Sequence, residues 1–351
     1  MTLPAFLAQH QLDNSLLLGF YGGGNYGDEL LMEVLAGLLQ QQNTQNVSIA
    51  YQQPQNYTAY HHDFGYPLVD MHNKKAVATA VLHKKRIVVG GGGLWGMDVN
   101  PNVLLMSIML FASRWLLHKK VYLLAVGRYN STPRMGRISA WLAGKAANAI
   151  IARDDETYQN FKRIQKHTYQ DNDIAWYIDQ LNLEPYEADV TALEHRLHIT
   201  GKTIFITLRR FRGNDQHHLA AVVGQCLEQN AGKHLIIALM EPRSIDPEGF
   251  NLLQSWRHTY PNLQVIDFAY NPLALFLFFR KHCDNLVFIG PQFHAILSAH
   301  LTGVPYLPLA YDNKVRNLLQ HIAPQAQPIT VQALQPQHIQ EFIDRAYAPA
   351  T

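Results

Sequence analysis

Two cysteines, Cys226 and Cys283, are all that the 351 residues contain. That is too few for a disulfide framework or a zinc-ligand set, and it fits a reducing compartment. Charge is sparse as well: 16% of the residues are charged, and 29 Lys and Arg meet 27 Asp and Glu, for a net charge of +2 with the 18 His neutral. A protein that tracks a nucleic acid needs a concentrated cationic excess to neutralise several phosphates at once, so nucleic acid is excluded as a partner. Whatever anion the chain handles is small and met by a few placed cations. The N-terminal MTLPAFLAQHQ lacks the basic start and long apolar core of a signal peptide. The most apolar stretches, 103–112 and 272–279, stop at Arg114 and Arg280 and are too short to span a bilayer. These absences predict a cytoplasmic protein. The runs His83-Lys84-Lys85-Arg86 and His118-Lys119-Lys120 are candidates for peripheral contact with an anionic membrane at its inner face, although a solvated face is the simpler reading of such runs.

What the chain does have is apolar content. Hydrophobic residues make up 48%, which excludes a disordered chain, and the length suits two domains. Short β-branched or Leu-rich runs alternate with stretches of helical period, the pattern of an α/β fold with parallel sheets covered by helices. Strands are predicted at 15–20, 47–51, 86–90, 121–126 and 149–152, and again at 203–208, 234–239, 263–268, 286–289 and 306–309. Between the two series, Leu181-Asn182-Leu183-Glu184-Pro185 reads as linker, because Pro185 disfavours helix at the residue before it. The expected organisation is an N-terminal domain over 1–177, a linker over 178–200 and a C-terminal domain over 201–351. Parallel sheets bind ligands outside the carboxyl ends of their strands, so the residues just after each strand are the ones to read.

The first strand runs into Phe20-Tyr21-Gly22-Gly23-Gly24-Asn25-Tyr26-Gly27-Asp28-Glu29 and then an apolar helical stripe. Gly22, Gly24 and Gly27 match G-x-G-x-x-G in a strand-to-helix context suited to a phosphate at the helix N-terminus. A dinucleotide site also needs an acid after the second strand, and no Asp or Glu occurs between Glu33 and Asp63, which removes the most discriminating element of a nicotinamide reading. Asp28 either caps the helix or contacts substrate. The third strand ends in Gly90-Gly91-Gly92-Gly93, an entropic cost that a mere turn does not require; either a ligand or a tightly packed backbone comes close. Arg153 follows the fifth strand, well placed to grip a carboxylate or phosphate with its planar fork, or else to pair with Asp154 or Asp155. Arg209 and Arg210 follow the sixth. The densest stretch is Gly290-Pro291-Gln292-Phe293-His294-Ala295, then Gly303-Val304-Pro305, then Tyr311-Asp312-Asn313-Lys314. Pro291 suits a first helical turn, which sets His294 near a helix N-terminus.

In this order the motifs resemble the polysaccharide pyruvyl transferase family. The matching segments are 24–28, 90–94, Arg153-Asp154, Leu208-Arg209, 292–295, 303–305 and 311–314, so the resemblance spans about residues 17–320. It implies a GT-B-like fold of two Rossmann-like halves facing a cleft. The implied activity transfers the pyruvyl group of phosphoenolpyruvate, as a ketal, onto a sugar of a cell-surface polysaccharide or its lipid-linked precursor. Neither a metal nor a cofactor is implied, and phosphoenolpyruvate is a co-substrate. By the same resemblance His294 is the general acid/base and Arg153 and Lys314 grip the donor's anionic groups. Arg209 is a further candidate for that work, Gly92 and Gly93 belong to the donor-binding loop, and Gly22, Gly24, Asn25, Gly27 and Asp28 form the glycine loop. One departure matters: the family's Arg two residues before the His is Gln292 here, with Phe293 for Leu between them. Gln292 can hydrogen-bond a carboxylate but supplies no charge, which leaves Arg210 or Arg128 to replace the missing cation. The competing readings are a GT-B-like glycosyltransferase using a nucleotide sugar and a non-catalytic relative that binds sugar or a small anion. The stretch 51–66, with Tyr57, Tyr60, His61 and His62, reads as a solvent-exposed loop or as a wall for the acceptor sugar.

Overall fold

The computed structural model describes residues 1–95, 101–129, 133–199, 201–209, 214–242, 246–266, 271–325 and 328–348. Arg210 lies outside them. The chain divides into two compact units, Met1–Gly23 with Asp28–Asn182, and Gly24–Gly27 with Leu183–Thr351.

The first unit is built on seven parallel strands: β1 (Ser15–Leu18), β2 (Ser48–Tyr51), β3 (Leu68–Asp70), β4 (Arg86–Gly90), β5 (Lys120–Val126), β6 (Ala149–Ala152) and β7 (Thr168–Gln170). Their order is β3-β2-β1-β4-β5-β6-β7. Strands such as Ser15–Leu18 and Ala149–Ala152 are buried along their whole length, because helices cover both faces of a parallel sheet and leave no polar side. Leu16, Leu18, Ile87, Val89, Leu123 and Ile150 form the heart of this core.

The second unit repeats the plan with β8 (Thr203–Leu208), β9 (His234–Leu239), β10 (Leu263–Ile266), β11 (Leu286–Gly290), β12 (Tyr306–Ala310) and β13 (Ile329–Thr330), in the order β10-β9-β8-β11-β12-β13. Its own core centres on Ile204, Ile206, Ile237, Val287 and Ile289. The apolar stretch at 272–279 is the helix Pro272–Lys281, capped by Asn271 through the Leu273 and Ala274 amides at 2.8 and 3.3 Å and buried from Pro272 to Phe279.

Both sheets reverse their strand order at one place, between β1 and β4 and between β8 and β11. At such a switch the loops diverge and leave a crevice at the carboxyl edge. Three strands were not expected: β3, β7 and β13. They are edge strands of two or three residues, mostly half-buried, so they carry no long apolar run to read. The boundary between the units falls after Asn182, inside the stretch expected to be a linker, but 178–200 is not a plain connector. The helix Glu187–Leu197 occupies most of it, buries Val190, Leu193 and Leu197, and is tied to the end of helix Pro272–Lys281 by Glu194, 2.8 Å from Lys281 and 2.7 Å from His282.

Candidate functional site

In the first unit the two glycine-rich turns follow β1 and β4, the strands that flank the switch. The turn after β4 is knitted to its neighbour: Gly91 donates to the Leu124 carbonyl at 2.8 Å, and Gly127 donates to the Gly92 carbonyl at 2.8 Å. Gly91 and Gly92 both have positive φ, a conformation open to glycine and strained for other residues. Beside Gly93 lies the Arg153 guanidinium. Arg153 is buried; its Nη1 donates to Asp173 Oδ2 at 3.0 Å, its Nη2 donates to the Tyr129 hydroxyl, and Asp154 Oδ2 lies 3.8 Å from Nε. Burial works against its charge, but Tyr129, Asp173 and Asp154 outweigh that and hold the guanidinium firmly protonated. Of the two readings open for Arg153, an anion grip or an internal ion pair, the geometry builds the ion pair, with Asp173 as its principal partner rather than Asp155.

The turn after β1 also departs from expectation. The Gly22 amide does not point at an open phosphate site: it donates to Glu29 Oε1 at 2.9 Å and Oε2 at 3.2 Å. Glu29 also accepts from the Tyr51 hydroxyl at 3.2 Å and meets His61 Nε2 at 2.9 Å, while His61 Nδ1 meets Glu33. Both carboxylate side chains and the imidazole are fully buried. Desolvation would push the imidazole toward its neutral form, but the charge of Glu33 and the hydrogen bonds to both carboxylates prevail and raise His61 to about 9. Within the stretch 51–66, Tyr57, Tyr60 and His61 are buried, while Gln55, Thr58, Ala59, Asp63 and Gly65 are exposed. One signal for this cluster was present in the sequence: Glu29 and Glu33 stand four residues apart on a helix, so they share one face, and that face is the apolar one.

In the second unit the residues after β8, β9, β11 and β12 gather at one carboxyl edge. Arg209 follows β8; its Nη1 donates to the Tyr311 hydroxyl at 2.6 Å, and its guanidinium lies 4.6 Å from the Tyr311 ring centroid. Lys314 Nζ lies 5.4 Å from the same centroid and 3.6 Å from Asp312 Oδ2. Tyr311 thus brings two cations onto one ring. Asp312 also caps the helix Asn313–Ile322 through the Val315 amide at 3.0 Å. Burial drives the Tyr311 hydroxyl to a strongly raised pKa despite the opposing charge of Arg209, and it stays neutral.

Gln292 is buried at the start of helix Phe293–Thr302, and its Nε2 donates to the Leu208 carbonyl at the end of β8. Its side chain ties the two strands of the switch together instead of standing open to a carboxylate, and its Oε1 is a buried acceptor with no hydrogen-bond partner.

His294, half-buried in the first turn of the same helix, packs against the segment Gly24–Gly27, which belongs to this second unit. A Cβ on Gly27 would sit 2.0 Å from His294 Nδ1. This close approach explains why the Gly-Asn-x-Gly-Asp turn needs its second glycine. The segment is anchored at three further points: Tyr26 N–H donates to the Met240 carbonyl at 3.0 Å, the Tyr26 and Ser298 hydroxyls are 2.8 Å apart, and Asn25 Nδ2 donates to Glu241 Oε1 at 3.0 Å. Gly24 packs on Pro242. Asn25 also accepts the Gly27 amide at 3.0 Å, so Asn25 rather than Asp28 caps helix Tyr26–Gln41. Asp28 sits in the first turn with its Oδ1 toward Gly92. Sequence reasoning missed Glu241, Tyr129 and Asp173, lone polar residues whose partners are remote in the chain, and assigned no role to Tyr311.

The order of motifs along the chain and their gathering at two switch points meet one decisive comparison: residues 25–313 match the model of the family described as polysaccharide pyruvyl transferase. The chain belongs to the polysaccharide pyruvyl transferase family. A comparison with curated proteins finds no match. Solved structures similar to this family member show its fold. UDP-GlcNAc 2-epimerase from Neisseria meningitidis, bound to UDP-GlcNAc, aligns at 12% identity over 96% of this chain and 95% of its own, with a TM-score of 0.63. The Methanocaldococcus jannaschii UDP-GlcNAc 2-epimerase with UDP-GlcNAc and UDP aligns at 14% identity over 96% and 93%, TM-score 0.62. Anabaena HepE with UDP-glucose aligns at 13% identity over 94% and 89%, TM-score 0.56. The pyruvyl transferase shares with them two parallel-sheet Rossmann-like units of the GT-B kind, and at these identities the likeness speaks for the fold alone. Among its described residues no helix is long and apolar enough to cross a membrane.

Proposed function

We propose that this family member moves the pyruvyl group of phosphoenolpyruvate onto two hydroxyls of a sugar in a cell-surface polysaccharide or its lipid-linked precursor. The observation that carries the reading is the carboxyl edge of the second sheet. There His294 is held against Gly27, and Arg209 and Lys314 share the Tyr311 ring. A histidine with two cations suits a donor that carries a carboxylate and a phosphate and must accept a proton on carbon. His294 in its protonated form gives its proton to the methylene carbon of phosphoenolpyruvate. The central carbon becomes electrophilic and one sugar hydroxyl adds to it, returning a proton to the imidazole. The second hydroxyl then displaces phosphate and closes the ketal, its proton leaving with the phosphate. Arg209 and Lys314 bind the donor's anionic groups throughout. Arg153, already neutralised by Asp173, supports the reaction by holding the turn after β4.

The test is phosphate release from phosphoenolpyruvate with glycan acceptors. Turnover is expected only when acceptor is present, and His294→Ala is expected to abolish it. Persisting turnover in that variant removes His294 from the mechanism. If phosphoenolpyruvate is never consumed while a nucleotide sugar raises the melting temperature, the glycosyltransferase reading replaces this one.

A further inference from the structure

The described residues of the first unit hold an exposed apolar surface that the fold does not require. Leu105, Ile108, Trp115, Leu116, Leu117, Met135, Ile138 and Trp141 are all more than 40% exposed. They lie on two neighbouring segments, helix Pro101–Trp115 with the two residues after it and helix Arg134–Ala146. Scattered exposed leucines need no explanation, but a contiguous apolar patch marks an interaction surface. The patch is continuous across the helices, since the Phe111 ring lies 6.2 Å from Trp115 and stacks at 6.4 Å on Trp141.

Packing does not account for these side chains. Helix Arg134–Ala146 buries only small residues, Ser139, Ala140, Ala143, Gly144 and Ala146. Helix Pro101–Trp115 turns Val103, Ser107, Leu110 and Ser113 inward, and Ser107 Oγ lies 2.8 Å from Ser139 Oγ in the seam between the two. Helix Arg134–Ala146 thus turns its large apolar residues outward and its small ones inward, the reverse of a water-exposed helix, and helix Pro101–Trp115 is apolar on its outer face as well as its inner one.

Charge says what covers the patch. Between Asp98 and Asp154 the sequence has no acidic residue but eight Lys and Arg, leaving 21 basic residues to offset all 27 acids elsewhere. Arg134, Arg137 and Lys145 are exposed on the second of these helices, and the Arg114 guanidinium lies 5.5 Å from the Trp115 ring centroid. A groove of about 460 Å³ is lined by Arg128, Arg134 and Arg137 on one hand and Ile138, Trp141 and Ile164 on the other. Apolar side chains, two tryptophans and, on the two helices themselves, cations without acids are the composition of a face that lies in a lipid headgroup layer. A second copy of the chain is a poor occupant, because a two-fold contact through this face sets like charges against each other.

We infer that this two-helix face docks the protein on an anionic phospholipid surface, with Trp115, Leu116, Leu117, Ile138 and Trp141 entering the headgroup layer and Arg134, Arg137 and Lys145 meeting lipid phosphates. The basic runs visible in the sequence contribute less than their length suggests. Lys84 and Lys119 are buried, donating to the Asn46 carbonyl at 2.7 Å and to the Lys84 carbonyl at 2.6 Å respectively, which leaves Lys85 and Lys120 as their exposed lysines.

Co-sedimentation of the full chain with vesicles of phosphatidylcholine alone and of phosphatidylcholine mixed with phosphatidylglycerol tests this. Binding is expected on the mixed vesicles, weakened by salt, with a blue shift of tryptophan emission. Arg134→Glu with Arg137→Glu should weaken partition at least about tenfold through lost attraction to the anionic surface, and Trp115→Ala with Trp141→Ala should weaken it through lost apolar insertion. Circular dichroism should be unchanged because these side chains are exposed. Wild-type protein that ignores the mixed vesicles, or variants that bind as well as wild type, overturns the inference. So does self-association of the wild type that both variants abolish without any lipid binding, which would make the face a contact between copies.

Discussion

Gly27 is the residue whose role can be stated most sharply. Its missing side chain is what lets the His294 ring approach the first turn of helix Tyr26–Gln41, because a Cβ there would stand 2.0 Å from Nδ1. Gly27→Ala should therefore displace the imidazole and lower kcat about a hundredfold, the usual consequence of an ångström-scale misplacement of a reacting group. Unchanged circular dichroism beside the lost turnover would separate this from unfolding. The arginines divide in the same way. Arg209→Gln leaves the fold intact and should raise the KM for phosphoenolpyruvate roughly tenfold or more, since a hydrogen bond to a charged group contributes about 1.5–3 kcal/mol. Arg153→Gln strands Asp173 in the interior and should show mainly as a loss of stability of about 3–5 kcal/mol, read as a drop in the denaturation midpoint. If both variants changed KM alone, the internal role assigned to Arg153 would fail.

At the scale of elements, the turn after β1 is held by a buried ionic cluster that couples it to helix Tyr26–Gln41 and to the stretch carrying His61. The imidazole is raised from its ordinary 6.5 to about 9 in the folded protein. A group raised on folding contributes stability that is complete below its unfolded pKa and is lost as pH climbs through the folded one. Thermal stability should thus decline between about pH 6.5 and 9, and His61→Gln should remove that part of the slope while lowering stability at neutral pH. Melting curves of the two proteins across this range check it; parallel curves would show that His61 is not charged in the fold. The same cluster takes up one donor of the glycine signature. Gly22 and Gly24 have the spacing of a phosphate loop, but Glu29 accepts the Gly22 amide, and a carboxylate already held there leaves that donor unavailable to a ligand anion.

At the scale of the molecule, the two sheets have separate cores, one around Leu16, Ile87 and Leu123 and the other around Ile204, Ile237 and Ile289. A cavity in one should act on that unit. Ile237→Ala, at a fully buried position, should cost about 2–5 kcal/mol and lower one calorimetric transition by roughly 5–15 °C while leaving the other in place. A single transition that moves as a whole would show the units to unfold together. Most strands were readable from the chain because buried parallel strands are continuous apolar runs, and β3, β7 and β13 were not, because edge strands this short bury too little. The motifs that mark the family were readable too, since most of them stand at the carboxyl end of a strand; Gly303-Val304-Pro305, which closes a helix and leads into β12, is the exception. Local order along the chain is enough to say that the fold is α/β in two series, that His294 begins a helix, and that cations follow strands. Partners remote in sequence are another matter. Arg153 pairs with Asp173, Gln292 bonds the carbonyl of Leu208, Gly27 yields to His294, and tryptophans on two helices form one face. Those pairings arise when crossover connections bring distant strand ends to one edge, and no pattern of neighbouring residues encodes them.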